Sequence, residues 1–147
     1  MLVFKRKAYN KLLEWKQRSN GRSAILIEGA RRVGKSTLVT EFAKREYKSC
    51  IVIDFNNVTN EVLTWFDGLV DLDYFFLRLQ TYFKVSLHVR QSVIVFDEVQ
   101  KCPKARQAIK YLVADGRYDY IETGSLISIH QNTKDITIPS EEESIEM

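Results

Sequence analysis

The most informative stretch of this 147-residue chain is Gly29-Ala30-Arg31-Arg32-Val33-Gly34-Lys35-Ser36-Thr37, GARRVGKST. It follows the apolar run at residues 24–27 and precedes a segment whose apolar residues recur on one helical face: Leu38, Val39, Phe42, Ala43 and Tyr47. Strand, glycine-rich loop and helix, in that order, is the arrangement of a phosphate-binding loop. The stretch therefore predicts a site for the phosphates of a nucleotide.

The residue types of the loop match this chemistry. Gly29 and Gly34 let successive backbone amides turn inward around phosphate oxygens, and the positive end of the following helix adds its dipole. Lys35 suits the β- and γ-phosphates, and the Ser36 hydroxyl suits Mg²⁺. The Thr37 amide can face the α-phosphate. The predicted nucleotide contacts also include the inner positions of the loop, Ala30, Arg31, Arg32 and Val33. The two arginines could contact phosphate or an acidic neighbour, or they could be solvated loop charges.

Composition limits the remaining choices. An apolar content of 45% suits one compact domain, and 28% charged residues with a net charge of +3 indicate neither a disordered chain nor a strongly basic nucleic-acid binder. The charge is uneven, because residues 1–48 hold 13 Lys/Arg against 4 Asp/Glu. Cys50 and Cys102 form neither a disulfide pattern nor a zinc pattern. No apolar leader or membrane-spanning run occurs, which predicts a cytoplasmic protein without membrane partners.

Helical and strand patterns alternate along the chain. Helices are predicted at residues 6–19, 61–66, 72–83 and from Pro103 to Gly116, and strands at residues 23–28, 50–55, 92–99 and 118–125. The tail allows a fifth strand from Ile136 or, more weakly, across residues 144–147. This order predicts an α/β fold in which helices cover both faces of a parallel sheet.

A second motif, VIVFDE at residues 93–98, carries an acidic pair to a strand end. In this pattern Asp97 holds Mg²⁺ and Glu98 polarises the attacking water, which favours hydrolysis over binding alone. The alternative is a plain strand terminus. The next strand ends in TGS, where a hydroxyl of Ser125 or, second, Thr123 could touch the γ-phosphate or orient the water. Here the alternative is a turn that uses Gly124.

GARRVGKST, VIVFDEVQ and ETGSLI, in this order, resemble the predicted AAA-superfamily ATPases of bacteria and archaea that pair an N-terminal ATPase domain with a C-terminal domain of unknown function. The resemblance implies a three-layer P-loop fold with sheet order 5-1-4-3-2, with ATP and Mg²⁺ as ligands and hydrolysis as the reaction. It carries over the nucleotide contacts Gly29, Gly34, Lys35, Ser36 and Thr37, the metal carboxylate Asp97 and the catalytic carboxylate Glu98.

The resemblance also divides the chain. Residues 1–22 are expected to form a basic helix packed on the core, residues 23–130 the P-loop ATPase core, and residues 131–147 a tail or an incomplete fifth strand. Family members continue further, so the chain is expected to be a fragment. We identify no arginine finger and expect three arginines to be surface charges, namely Arg90, Arg106 and Arg117. Turnover without a finger is expected to be slow.

Three functions remain open. One is an ATPase that drives or times a conformational change in a downstream domain or a partner, with self-association as a further option. Another is a switch that binds ATP and rarely hydrolyses it. The least favoured is a nucleic-acid-associated module that uses the basic third of the chain. Three aromatic residues could flank an adenine, although core positions are favoured for each: Tyr9, Trp15 and Trp65.

Overall fold

The computed structural model describes residues 3–29, 34–125 and 142–147. The helices are α1 (Val3–Ser19), α2 (Lys35–Glu46), α3 (Asn60–Thr64), α4 (Leu72–Phe83) and α5 (Pro103–Asp115). The strands are β1 (Ala24–Gly29), β2 (Ser49–Asp54), β3 (Ser92–Asp97), β4 (Asp119–Ser125) and β5 (Glu142–Glu146). A short 3₁₀ turn, Val99–Lys101, joins β3 to α5.

The five strands form one sheet in the order β2-β3-β4-β1-β5, and every pairing is parallel. This confirms the α/β class and the predicted strand order. Since parallel strands bring their carboxyl ends to one edge, β1, β3 and β4 end together there. The register shows this directly, because Gly29 of β1 lies opposite Ser125 of β4.

The two faces of the sheet carry separate apolar cores. On one face, Leu12 and Trp15 of α1 and Phe42 of α2 pack against residues such as Ile27. On the other, helices α3, α4 and α5 cover a core that is rich in aromatic side chains, including Phe66, Phe75, Phe76, Phe96 and Tyr120. The strands buried on both faces are therefore nearly continuous apolar runs, as the sequence suggested.

Local signals explain where several elements begin and end. The Asp71 carboxylate accepts a hydrogen bond from the Tyr74 amide at 3.1 Å and caps α4. Gly116 ends α5 with a φ of 80°. The prediction that the third strand reaches Val99 is wrong, because the backbone of Glu98 turns into the left-handed region, with a φ of 60°, directly after Asp97.

The fifth strand differs from both predictions for the tail. β5 pairs with β1 from Ala24↔Glu142 to Glu28↔Glu146, so it overlaps only the weaker of the two predicted segments. The other, beginning at Ile136, lies outside the described residues. At the end of β5, the Met147 amide donates to the Glu28 carbonyl at 2.7 Å. The strand thus follows β1 almost to the start of the loop.

Candidate functional site

The loop between β1 and α2 ends at a glycine that its geometry requires. Gly34 precedes the first helical residue with φ 87° and ψ 22°, a left-handed conformation that side chains disfavour. Its carbonyl accepts from the Leu38 amide at 2.9 Å, which starts α2. Four predicted contacts, Ala30, Arg31, Arg32 and Val33, lie outside the described residues.

Lys35 connects the two glycines of the motif. It is 4% exposed, and its ammonium donates to the Gly29 carbonyl at 3.2 Å. The cation of the motif is therefore held against the end of β1. Buried ammonium groups require polar partners, and the Gly29 carbonyl is one of them.

Ser36 and Asp97 meet although 61 residues separate them. The Ser36 hydroxyl donates to Asp97 Oδ1 at 2.8 Å. Asp97 is 8% exposed at the end of β3, while Ser36 is exposed on the first turn of α2. The structure thus brings together the two residues predicted as metal ligands.

Thr123 links the two acidic residues of the second motif. Its hydroxyl donates to Asp97 Oδ1 at 2.6 Å and accepts from the Glu98 amide at 2.9 Å, and the residue is fully buried in β4. With both hydrogen bonds made, this hydroxyl is engaged within the protein. Thr123 is thus positioned to hold Asp97 and Glu98 relative to each other.

Glu98 is half-buried and lies in the turn that follows β3. Its left-handed backbone is an uncommon conformation for a residue with a side chain, and such strain often marks a functional position. Gln100 Nε2 donates to Glu98 Oε2, so the carboxylate is oriented within its own turn. Sequence reasoning missed Gln100, which stood in the motif only as a residue typical of the resembling family.

The remaining predicted residues lie around this centre. Ser125 is largely buried opposite Gly29, at the same edge of the sheet. Thr37 is exposed on the first turn of α2 and, with Ser36, borders a cavity of about 540 Å³ whose other lining residues are Thr40, Glu41 and Lys44. All five lining residues belong to α2, so this open cavity lies along the outer side of that helix beside the motif.

Lys5 is a residue of the site that sequence reasoning did not single out. A Cβ built on Gly34 would lie 2.7 Å from Lys5 Cε and 2.9 Å from Lys5 Nζ. The amino-terminal turn of α1 therefore brings a second ammonium group to the open face of the loop glycine. The basic composition of residues 1–48 was the only signal for it.

A buried charge cluster on the α5 face of the sheet was also missed. Arg106 is 3% exposed and makes two hydrogen bonds, at 2.7 and 3.1 Å, to the Glu142 carboxylate. The expectation that Arg106 is a surface charge is therefore wrong. Arg90 and Arg117 stay about a third exposed and form ion pairs with acidic neighbours: Asp119 for Arg90, and Asp73 and Asp115 for Arg117.

Glu122 belongs to the same cluster and is fully buried. Neither of its carboxylate oxygens accepts a hydrogen bond from the residues described. Burial raises the pKa of Glu122 well above its ordinary value; the neighbouring Glu142 carboxylate raises it further, and Arg106 partly opposes both. Once protonated, the Glu122 carboxyl can donate to Glu142.

The aromatic residues take the core positions that the sequence favoured. Trp15 is buried, and its indole donates to the Ser23 hydroxyl at 3.3 Å. Tyr9 donates to Glu46 at 2.6 Å, and burial together with that carboxylate raises the pKa of Tyr9 to about 12. Trp65 packs edge-on against Tyr82 beside a cleft of about 530 Å³ between α3 and α4.

Comparisons with known proteins give one positive finding. The sequence model of a family described as an AAA domain matches residues 21–147. A search of curated proteins returned no match. Of the helices in the described ranges, none has the length and apolar character needed to cross a membrane.

Proposed function

The chain belongs to the AAA domain family, and from that premise we propose that it binds ATP with Mg²⁺ and hydrolyses the nucleotide. In this proposal, ATP turnover drives or times a conformational change in a downstream domain or a partner. This coupling role rests only on the resemblance of the sequence to the family. The family supports the coarser function, nucleotide binding by a P-loop domain. The finer roles are argued from the residues of the site.

The observation that carries the proposal is the hydrogen bond of 2.8 Å between Ser36 Oγ and Asp97 Oδ1. A hydroxyl and a carboxylate that converge from two motifs are oxygen ligands of the kind Mg²⁺ takes, usually with water and phosphate oxygens completing its shell. The residues present therefore fit the metal. When bound, Mg²⁺ supplies positive charge against the β- and γ-phosphate oxygens.

Each further residue has a role that its surroundings support. Lys35, held at the Gly29 carbonyl, binds the phosphate chain from within the loop. Glu98 accepts a proton from the attacking water, since it is a partly exposed carboxylate one residue beyond Asp97. Thr123 keeps both acidic residues in place. Ser125, across from Gly29, contacts the γ-phosphate or orients the water.

Two substitutions test the proposal by separating binding from hydrolysis. Lys35→Ala should weaken MgATP binding in calorimetry. Glu98→Gln should keep binding and lose phosphate release, by about a hundredfold or more, because a positioned general base contributes that much. Glu61→Gln, an exposed glutamate on α3, is the matched control and should release phosphate like the wild type. Equal phosphate release from the wild type and Glu98→Gln would overturn the hydrolytic role.

One contact favours the second candidate, a slow switch. Gln100 Nε2 donates to Glu98 Oε2 and so competes with a water molecule for that carboxylate oxygen. If this contact restrains Glu98, Gln100→Ala should release phosphate faster than the wild type while binding MgATP equally well. A slower Gln100→Ala enzyme would argue that Gln100 assists hydrolysis and would remove the support for the switch.

A further inference from the structure

We propose that Lys5 of α1 is a second phosphate-binding cation of the site and contacts the phosphate chain of the bound nucleotide alongside Lys35. The inference rests on the proposed nucleotide site. It assigns a ligand-binding role to a residue outside the segment that matches the AAA domain, because that segment starts at residue 21.

The position of Lys5 carries the first step. Its Cε and Nζ lie within 2.7 and 2.9 Å of where a Cβ on Gly34 would stand. A glycine in a left-handed conformation beside a ligand loop leaves its backbone open to close approach, and here the ammonium group of Lys5 occupies the approach. Phosphate oxygens drawn to the Gly34 and Lys35 backbone would therefore meet Lys5.

The helix that carries Lys5 is firmly attached. Ala8, Leu12 and Trp15 of α1 are buried against the sheet and α2. Tyr9 adds an edge-to-face contact with the Phe42 ring and a hydrogen bond to Glu46. Because α1 is anchored along α2, whose first turn carries the last residues of the motif, the position of Lys5 is set by packing.

Lys5 adds a positive charge to a motif that already holds Lys35. Lys5 lies beside Gly34 and Lys35 is held at the Gly29 carbonyl, so an ammonium group stands at each end of the motif. No ion pair joins Lys5 to a carboxylate in the described part of the chain. A di- or triphosphate would bring negative charge to Lys5, and ammonium groups bind phosphate as point charges.

Half-burial distinguishes Lys5 from the basic residues that follow it on the first turns of α1. Lys5 is half-buried, whereas Lys7 and Lys11 are exposed. The exposed lysines provide matched controls of the same charge on the same helix. Lys5→Met keeps most of the apolar stem and removes the charge, and Lys5→Arg keeps the charge.

The test measures calorimetric binding of MgATP and of inorganic tripolyphosphate, which lacks the base and the sugar. Lys5→Met should weaken both ligands about tenfold to a hundredfold, since a hydrogen bond to a charged group contributes that much. Lys7→Met should match the wild type, and Lys5→Arg should retain most of the affinity. Equal unfolding midpoints of Lys5→Met and Lys7→Met without ligand would attribute the loss to phosphate binding and not to folding.

Several results would overturn the inference. Wild-type affinity in Lys5→Met, or tighter binding, would show that the ammonium group does not bind phosphate. A loss for MgATP with none for tripolyphosphate would place Lys5 at the base or the sugar. Only this inference fails if the wild type binds MgATP, Lys35→Ala does not, and Lys5→Met binds both ligands with the same affinity as Lys7→Met. If the wild type binds neither ligand, the proposed function fails and takes this inference with it.

Discussion

Replacing Thr123 by valine should destabilise the fold and disturb the site at once. Valine keeps the shape of the side chain and removes the hydroxyl, which donates to Asp97 at 2.6 Å and accepts from the Glu98 amide at 2.9 Å. Because Thr123 is fully buried, the valine methyl group takes the place of the hydroxyl inside the protein and not in water. The change therefore isolates one oxygen atom that links β3 to β4.

The expected loss follows from the two bonds. A hydrogen bond to a carboxylate contributes about 1.5 to 3 kcal/mol, and an amide left without an acceptor costs about 1 to 3 kcal/mol. Ser36 still donates to the same Asp97 oxygen, and the Glu98 amide is only partly buried, so the lower ends apply. We expect the free energy of unfolding to fall by about 2 to 4 kcal/mol.

Urea unfolding followed by circular dichroism measures this loss through the midpoint at constant slope. Thr81→Val is the matched control, because Thr81 is exposed and its hydroxyl bonds only to the Leu77 carbonyl of its own helix. Thr123→Ser keeps the hydroxyl and should lose only about 1 kcal/mol for the missing methyl group. Equal midpoints for Thr123→Val and Thr81→Val would refute the structural role assigned to Thr123.

Three further predictions concern charge and backbone strain. Because folding raises the pKa of Glu122, the folded state holds an extra proton, and stability falls as the pH rises above the ordinary glutamate range. Glu122→Gln should therefore raise the melting temperature more at pH 8 than at pH 5, whereas the exposed control Glu14→Gln should not. An equal effect of Glu122→Gln at both pH values would contradict the assignment. Arg106→Met should lower the free energy of unfolding by about 3 to 5 kcal/mol in urea, because it leaves buried carboxylates unpaired; Arg18→Met, which breaks an exposed pair, should cost under about 1 kcal/mol, and similar losses for the two would show that burial is irrelevant. Gly34→Ala should cost about 1 to 2 kcal/mol in the same assay, because its φ of 87° disfavours a side chain, and an unchanged midpoint would argue against that conformation.

The parts of the fold that depend on short-range patterns could be predicted from the sequence. The limits predicted for α4, residues 72–83, are those observed, because its apolar face has a clear period and Asp71 caps it. The loop motif likewise predicted the junction of β1 and α2. The strand order also agrees, although it came from the resemblance to a family and not from the periodicity of the residues.

Positions that depend on distant contacts could not be predicted in this way. In the sequence, Arg106 looks like an ordinary surface charge on the first turn of a helix. Its burial is explained only by the ion pair with Glu142, which β5 places beside it. The apolar run of β3 is interrupted by Asp97 and Glu98 and resumes at Val99. No local pattern therefore indicated that β3 ends at Asp97. The left-handed turn at Glu98 goes with a tertiary contact to Thr123, beside a local contact with Gln100.

The alternation of strands and helices, the loop glycines and the two acidic residues could be predicted from the sequence, because neighbouring residue types and their spacing encode them. The tertiary structure alone decided which of these groups touch: Ser36 with Asp97, Thr123 between the two acidic residues, and Lys5 over Gly34. The physical reason is that hydrogen bonds and ion pairs act over a few ångströms, and only the packing of the whole sheet with its helices brings residues far apart in the chain to such distances.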